Sequence, residues 1–153
     1  MRLKVFSIID ETLELLQENQ QLYEDCLRDV RRTLRTLLGE RNEMVMDIRG
    51  RIKTKESLRE KIIRNRFYIE YDKASDILAH LSDLIGVSIE CRFIHEEFVL
   101  LQLLRDTMSV QDEEGLYHHP DHPSLRFDIQ SKQPQIQKNG FSIYRVDGCY
   151  LRD

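Results

Sequence analysis

An α+β fold is predicted by three features of the sequence. Apolar residues between Ile9 and Leu37 recur in steps of three and four, the period of an amphipathic helix. Between Val87 and Phe93 they recur at every second residue, the period of a strand with one buried face. Helical periods dominate the first part of the chain and alternating periods the last, the segregation expected of helices packed on a small sheet.

The first element is one long amphipathic helix. Its stripe runs Ile9, Leu13, Leu16, Gln20, Tyr23, Leu27, Val30, Leu34 and Leu37, with a polar break at Gln20 and Gly39 as the C-cap. Such a heptad stripe serves either as the core face of its own domain or as a seam in a homo-oligomer. Leu15, Leu22, Cys26 and Leu38 widen it beyond a strict seam, which favours core packing. Thr54 has the chemistry of an N-cap for a helix through about Phe67, with Leu58, Ile62 and Ile63 inward. A shorter helix, Lys73 to Leu84, carries Ile77, Leu78, Leu81 and Leu84 and ends at Gly86. Val87, Ile89, Cys91 and Phe93 then alternate with Ser88, Glu90 and Arg92 as a strand, with Cys91 buried. The apolar run Glu96 to Arg105 predicts a helix behind that strand, and Met108 to Gln111 a short strand.

Breaker residues organise the remainder. The segment Asp112 to Ser124 holds Pro120, Pro123, Gly115 and the histidines His118, His119 and His122, and is predicted to be a loop. Leu125, Phe127 and Ile129 alternate as a strand, and a polar stretch follows from Ser131 to Lys138. Phe141, Ile143, Tyr144 and Val146 form a further strand, and Asp147-Gly148 is the strongest hairpin signal in the chain, with Cys149 to Leu151 returning. The organisation is therefore an N-terminal helical region, residues 1–44, and a mixed region, residues 45–153.

Composition narrows the function classes. At 153 residues the chain suits one core, since a domain of this size buries about 70% of the surface its unfolded chain exposes. A net charge of -4 and a pI near 5.8 give no bulk attraction to nucleic acid or anionic membrane, so any basic surface is local. No apolar run approaches the roughly 20 residues of a membrane span, and the N-terminus turns acidic too early for a signal peptide. A cytoplasmic location is the expectation. Cys26, Cys91 and Cys149 form no CxxC pair, so reduced thiols are expected.

The stretch from Arg51 to Arg64 carries the chemistry. It places Arg51, Lys53, Arg59, Lys61 and Arg64 at the entrance and first turns of one helix. Interleaved with Glu56 and Glu60, such cations commonly make a solvated face of i,i+4 pairs. Two details point to an anion instead. Arg51 and Lys53 precede the cap, where backbone N–H groups favour negative charge, and Ser57, Lys61 and Arg64 are spaced to share a helix face. Asp83 follows, three residues before Gly86, and one rigidly held carboxylate is a reasonable half-site for Mg²⁺. The HHxxH spacing of His118, His119 and His122 has no tied cysteine or carboxylate cluster, so a polar loop is favoured over a transition-metal site. Neither a GxxxxGK loop nor a Ser/His/Asp spacing is present, which leaves P-loop and hydrolase readings unsupported.

With these motifs in view, residues 45–150 resemble the synthetase domain of the RelA/SpoT family, the (p)ppGpp synthetases. The family's ATP pattern is matched at Arg51, Lys53, Ser57, Lys61 and Arg64. Its DxxGxR motif is matched at Asp83 and Gly86, with Ser88 in place of the arginine. Its NGYxS(L/Y)H motif is matched at Asn139, Gly140, Phe141 and Tyr144, with Ile143 and Arg145 where serine and histidine are usual. The resemblance implies a nucleotidyltransferase-like mixed sheet flanked by helices; the family's ExQ-type strand with its second acidic group has no counterpart in residues 1–153, as expected of either a fragment or a shortened domain. It also implies ATP on the five basic and hydroxyl residues, Mg²⁺ on a catalytic Asp83, and GDP or GTP held at Asn139, Phe141 and Tyr144. The implied reaction transfers pyrophosphate from ATP to the guanosine 3'-hydroxyl. Ser88, Arg145 and the missing second acid support the alternative, a catalytically inactive nucleotide-binding module that regulates or contacts a partner.

Overall fold

The computed structural model describes residues 4–39, 43–129, 135, 136, 138, 140 and 142–151, and within them the chain is mixed α+β. It divides into two compact units, residues 1–27 with 50–87 and residues 28–49 with 88–153.

The first unit is built on helices α1 (Lys4–Glu18), α3 (Lys55–Arg64), α4 (Phe67–Glu70) and α5 (Ala74–His80). It also takes the start of α2 (Gln20–Leu37), the end of β1 (Val45–Ile52) and the start of β2 (Ile85–Cys91), the two strands pairing as a two-stranded sheet. Ile8, Ile9, Leu13 and Leu16 of α1 pack with Leu58, Ile62, Phe67, Ile77, Leu78 and Leu81 in one cluster. Leu58, Ile62 and Ile77 are fully buried, each contributing about 1.5–3 kcal/mol of hydrophobic stabilisation. The stripe of α1 thus faces the core of its own unit.

The expected single N-terminal helix is divided at Asn19. The backbone ladder crosses the division, with Asn19 N–H donating to Leu15 O at 3.2 Å and Tyr23 N–H to Asn19 O at 3.0 Å. The Asn19 side-chain amide donates to the same Leu15 carbonyl at 2.8 Å, a local competitor for the helical bond. Beyond it the buried row becomes Cys26, Val30, Leu34 and Leu38, while Leu22 is exposed. Gly39 is not in the left-handed conformation of a glycine cap. Thr54 does cap α3, but the helix ends at Arg64, Asn65 is the C-cap, and Ile63 faces solvent. Helix α5 stops at His80, so Gly86 lies inside β2 rather than at a helix end.

The second unit contains the rest of α2, of β1 and of β2, then α6 (Ile94–Thr107), whose Leu100, Leu101 and Leu104 are buried. Strands β3 (Val110–Gln111), β4 (Tyr117–His119), β5 (His122–Asp128) and β8 (Asp147–Tyr150) form an antiparallel sheet in the order β3-β4-β5-β8. Strands β6 (Gln135–Ile136) and β7 (Ser142–Ile143) make a separate antiparallel pair. Asp112 fastens the connection after β3. Its Oδ1 accepts the N–H groups of Glu114 and Leu116, both at 2.9 Å, and its Oδ2 accepts from Arg126 of β5 at 2.8 Å.

Three expectations are corrected in this unit. The histidine loop is a hairpin, with Pro120 and Asp121 at its tip and His119 paired with His122. Asp147 and Gly148 make no turn; they lie in β8 opposite Asp128 and Phe127. A Cβ at Gly148 would strike the Arg126 carbonyl and come within 2.7 Å of Phe127 Cδ1, so this glycine serves close strand approach rather than a tight turn. Cys91 is half-buried, because β2 shows no alternation of buried and exposed faces.

Candidate functional site

Lys53, Ser57, Lys61 and Asp83 come together in the first unit. Lys53 follows β1, and its backbone N–H donates to Leu84 O at 2.9 Å, which ties the exit of β1 to the approach to β2. Thr54 then begins α3 with extended backbone, its Oγ1 accepting the Ser57 N–H at 3.2 Å. The cap fixes where the helix starts and therefore which side carries Ser57 and Lys61, one turn apart.

Asp83 lies outside the helix expected to run to Leu84; it sits in the link between α5 and β2. From there its Oδ2 accepts from Lys53 Nζ at 2.9 Å and from Lys61 Nζ at 3.2 Å. Lys53 Nζ also lies 3.3 Å from Ser57 Oγ. The Lys53 side chain is only 7% exposed, against 25% for Lys61 and 27% for Asp83. Burial pushes the Asp83 carboxyl up, but the hydrogen bonds and charges of Lys53 and Lys61 outweigh it and hold the group below the usual carboxylate range. Two cations on one anion leave the cluster with a formal charge of about +1.

The second carboxylate oxygen, Asp83 Oδ1, is buried without a hydrogen-bond partner among the described residues. A hard oxygen with unused lone pairs suits Mg²⁺, which commonly takes one or two carboxylates and fills its octahedron with phosphate oxygens and water. No group of three or more His, Cys, Asp and Glu gathers among the described residues. The residues present therefore fit Mg²⁺ as a half-site, completed by a ligand's own oxygens.

The remaining cations of the segment divide. Arg51 is exposed, and its side chain lies across Gly86, where a Cβ would meet Arg51 Nε at 3.3 Å. Arg64 is exposed in the last turn of α3. Lys55 hydrogen-bonds Gln17 of α1, and Lys55 and Arg59 line a groove with Asp10, Glu14, Glu56 and Glu60. One subset of the basic run thus meets acids of α1 and α3 as a solvated face, while Lys53 and Lys61 converge on Asp83. The direct lysine–carboxylate contact is what sequence reading missed. Its only signal was one acid in the chain segment that leads into β2.

The resemblance assigns guanine to Asn139, Phe141 and Tyr144. Tyr144 is half-buried just after β7, while Asn139 and Phe141 lie outside the described residues. Ser88 is exposed on β2, and Arg145 Nε lies 3.4 Å from Asp147 Oδ1. The described helices include none long and apolar enough to cross a membrane. Comparison with family models, curated proteins and solved structures gives no match to this chain.

Proposed function

We propose that this chain binds the polyphosphate of ATP with Mg²⁺ at Lys53, Ser57, Lys61 and Asp83, as part of a nucleotidyltransferase-like, RelA/SpoT-type synthetase. The observation that carries the reading is two ammonium groups and a hydroxyl converging beside a buried carboxylate oxygen that has no hydrogen-bond partner among the described residues. Lys53 and Lys61 would neutralise phosphate oxygens, and Ser57 would orient one of them by its hydroxyl. Arg51 and Arg64, both exposed, would add charge at the margins. Mg²⁺, when bound, would supply charge neutralisation to the phosphates from Asp83 Oδ1. Asn139, Phe141 and Tyr144 are assigned to the guanine of GDP or GTP, whose 3'-hydroxyl would accept pyrophosphate. Catalysis of this kind rests on positioning and electrostatics.

The first test is titration calorimetry of ATP with Mg²⁺ on the wild type and on Lys61→Ala. A lost charge-assisted contact, worth about 1.5–3 kcal/mol, weakens binding roughly tenfold to a hundredfold. Equal affinities would remove the phosphate grip. A second reading, a nucleotide-binding module without transferase activity, is favoured by Ser88 standing where the family carries a cation. Chromatography of labelled ATP with GDP or GTP separates the two: binding with (p)ppGpp formation supports the synthetase, and binding without product supports the module.

A further inference from the structure

Both ammonium groups that would hold phosphate are already engaged, and by the same oxygen of Asp83. A carboxylate oxygen carrying two charge-assisted hydrogen bonds is chemically close to a phosphate oxygen. Lys53 is nearly enclosed, so its charge has little water to fall back on when Asp83 is taken away.

Building on that reading, we infer that Asp83 is a resident anion that occupies the phosphate site of the ligand-free chain and must yield Lys53 and Lys61 before a polyphosphate can bind. Three observations support it. Lys53 and Lys61 reach a single atom from different segments, so their spacing is set by the anion between them. Ser57, one turn before Lys61, already contacts Lys53, so an entering oxygen would find donors arranged around the place that Oδ2 fills. Oδ1 has no hydrogen-bond partner among the described residues, so no described hydrogen bond on that side retains the carboxylate once the lysines turn away. The consequence is regulatory. A bare anion must compete with Asp83 and suffers its repulsion, whereas an anion that brings a divalent cation offers the released carboxylate a new partner. Polyphosphate and divalent cation are then coupled through one side chain, each raising the affinity for the other.

The test uses the full chain, inorganic tripolyphosphate as probe and a medium free of divalent cations. Calorimetry compares the wild type with Asp83→Asn, which keeps the shape and removes the charge. The variant should bind tripolyphosphate at least about tenfold more tightly, because unit charges about 4 Å apart repel by that order even with substantial screening. Adding Mg²⁺ should then tighten binding less in the variant than in the wild type. A wild-type measurement covers the case in which the variant does not fold. Under saturating tripolyphosphate, the lysine side-chain nitrogen resonances of Lys53 and Lys61 should shift together. Binding of equal or lower affinity in Asp83→Asn, or saturation without movement of those resonances, overturns the inference while leaving the phosphate site intact. Absence of tripolyphosphate binding by both proteins, with and without Mg²⁺, removes the site and the inference together.

Discussion

Replacing Lys53 by methionine keeps the aliphatic stem and deletes the ammonium, isolating the charge. The variant loses the 2.9 Å bond to Asp83 and the 3.3 Å contact to Ser57. Truncating one partner of a fully buried pair costs about 3–5 kcal/mol, and an exposed pair contributes about 0–1. Lys53 is 7% exposed but Asp83 is 27% exposed and keeps Lys61, so the value falls between these limits, at about 1–2 kcal/mol. Lys61→Met removes a 3.2 Å bond from a side chain that is 25% exposed, and should cost about 0.5–1 kcal/mol. Urea unfolding followed by circular dichroism at neutral pH measures both, and raising the salt concentration should shrink the Lys61 effect more than the Lys53 effect. Equal destabilisation by the two substitutions, or a larger loss for Lys61→Met, would refute the claim that burial sets the strength of this cluster.

Acid sensitivity follows from the same cluster. The folded Asp83 carboxyl lies below its unfolded value of about 3.9, so its contribution is complete above that pH and is lost as pH falls through the lower folded value. Asp112 behaves likewise, held down chiefly by its hydrogen bond from Arg126. Melting between pH 6 and 2 should therefore show a shallower acid loss for Asp83→Asn than for the wild type. In the second unit, Gly148→Ala forces a methyl group against the Arg126 carbonyl and the Phe127 ring, and should destabilise by about 1–3 kcal/mol. Amide exchange should show protection falling at Arg126 and Cys149, a hydrogen-bonded pair of the β5–β8 ladder, and unchanged protection there would indicate that the strands do not approach as described.

Helical periodicity carried the N-terminal elements because the steps of three and four at Ile9, Leu13 and Leu16 reflect one buried face. Thr54 was legible for a local reason, since a cap is chemistry between near neighbours. Asn19 was not, because a single side-chain amide competing for one carbonyl leaves the apolar pattern unchanged. Asp147-Gly148 misled because a glycine needed for absent volume and a glycine needed for a left-handed turn look alike in sequence; only the partner strand distinguishes them. The His119–His122 pairing was hidden by two prolines, which mark both loops and the ends of short hairpin strands. Lys53, Ser57 and Lys61 could be grouped from sequence because they lie at and just before one capped helix, whereas the link from Lys53 to Asp83 spans thirty residues and depends on how β1 and β2 are tied.

The placement of Lys53 bears on why the cluster exists. An ammonium that is almost enclosed surrenders hydration, and a well-packed apolar residue of similar volume in such a place is often neutral or better for stability. Stability alone therefore gives little reason to set two lysines and an aspartate here, particularly with Asp83 Oδ1 lacking a hydrogen-bond partner among the described residues. Unsatisfied buried polar atoms are uncommon, and each calls for a cause. A ligand that brings both its own anionic oxygens and a cation would satisfy all of them at once: the oxygens take Lys53 and Lys61, and the cation takes the carboxylate. The residues that stability alone does not call for are the same residues that such a ligand would need.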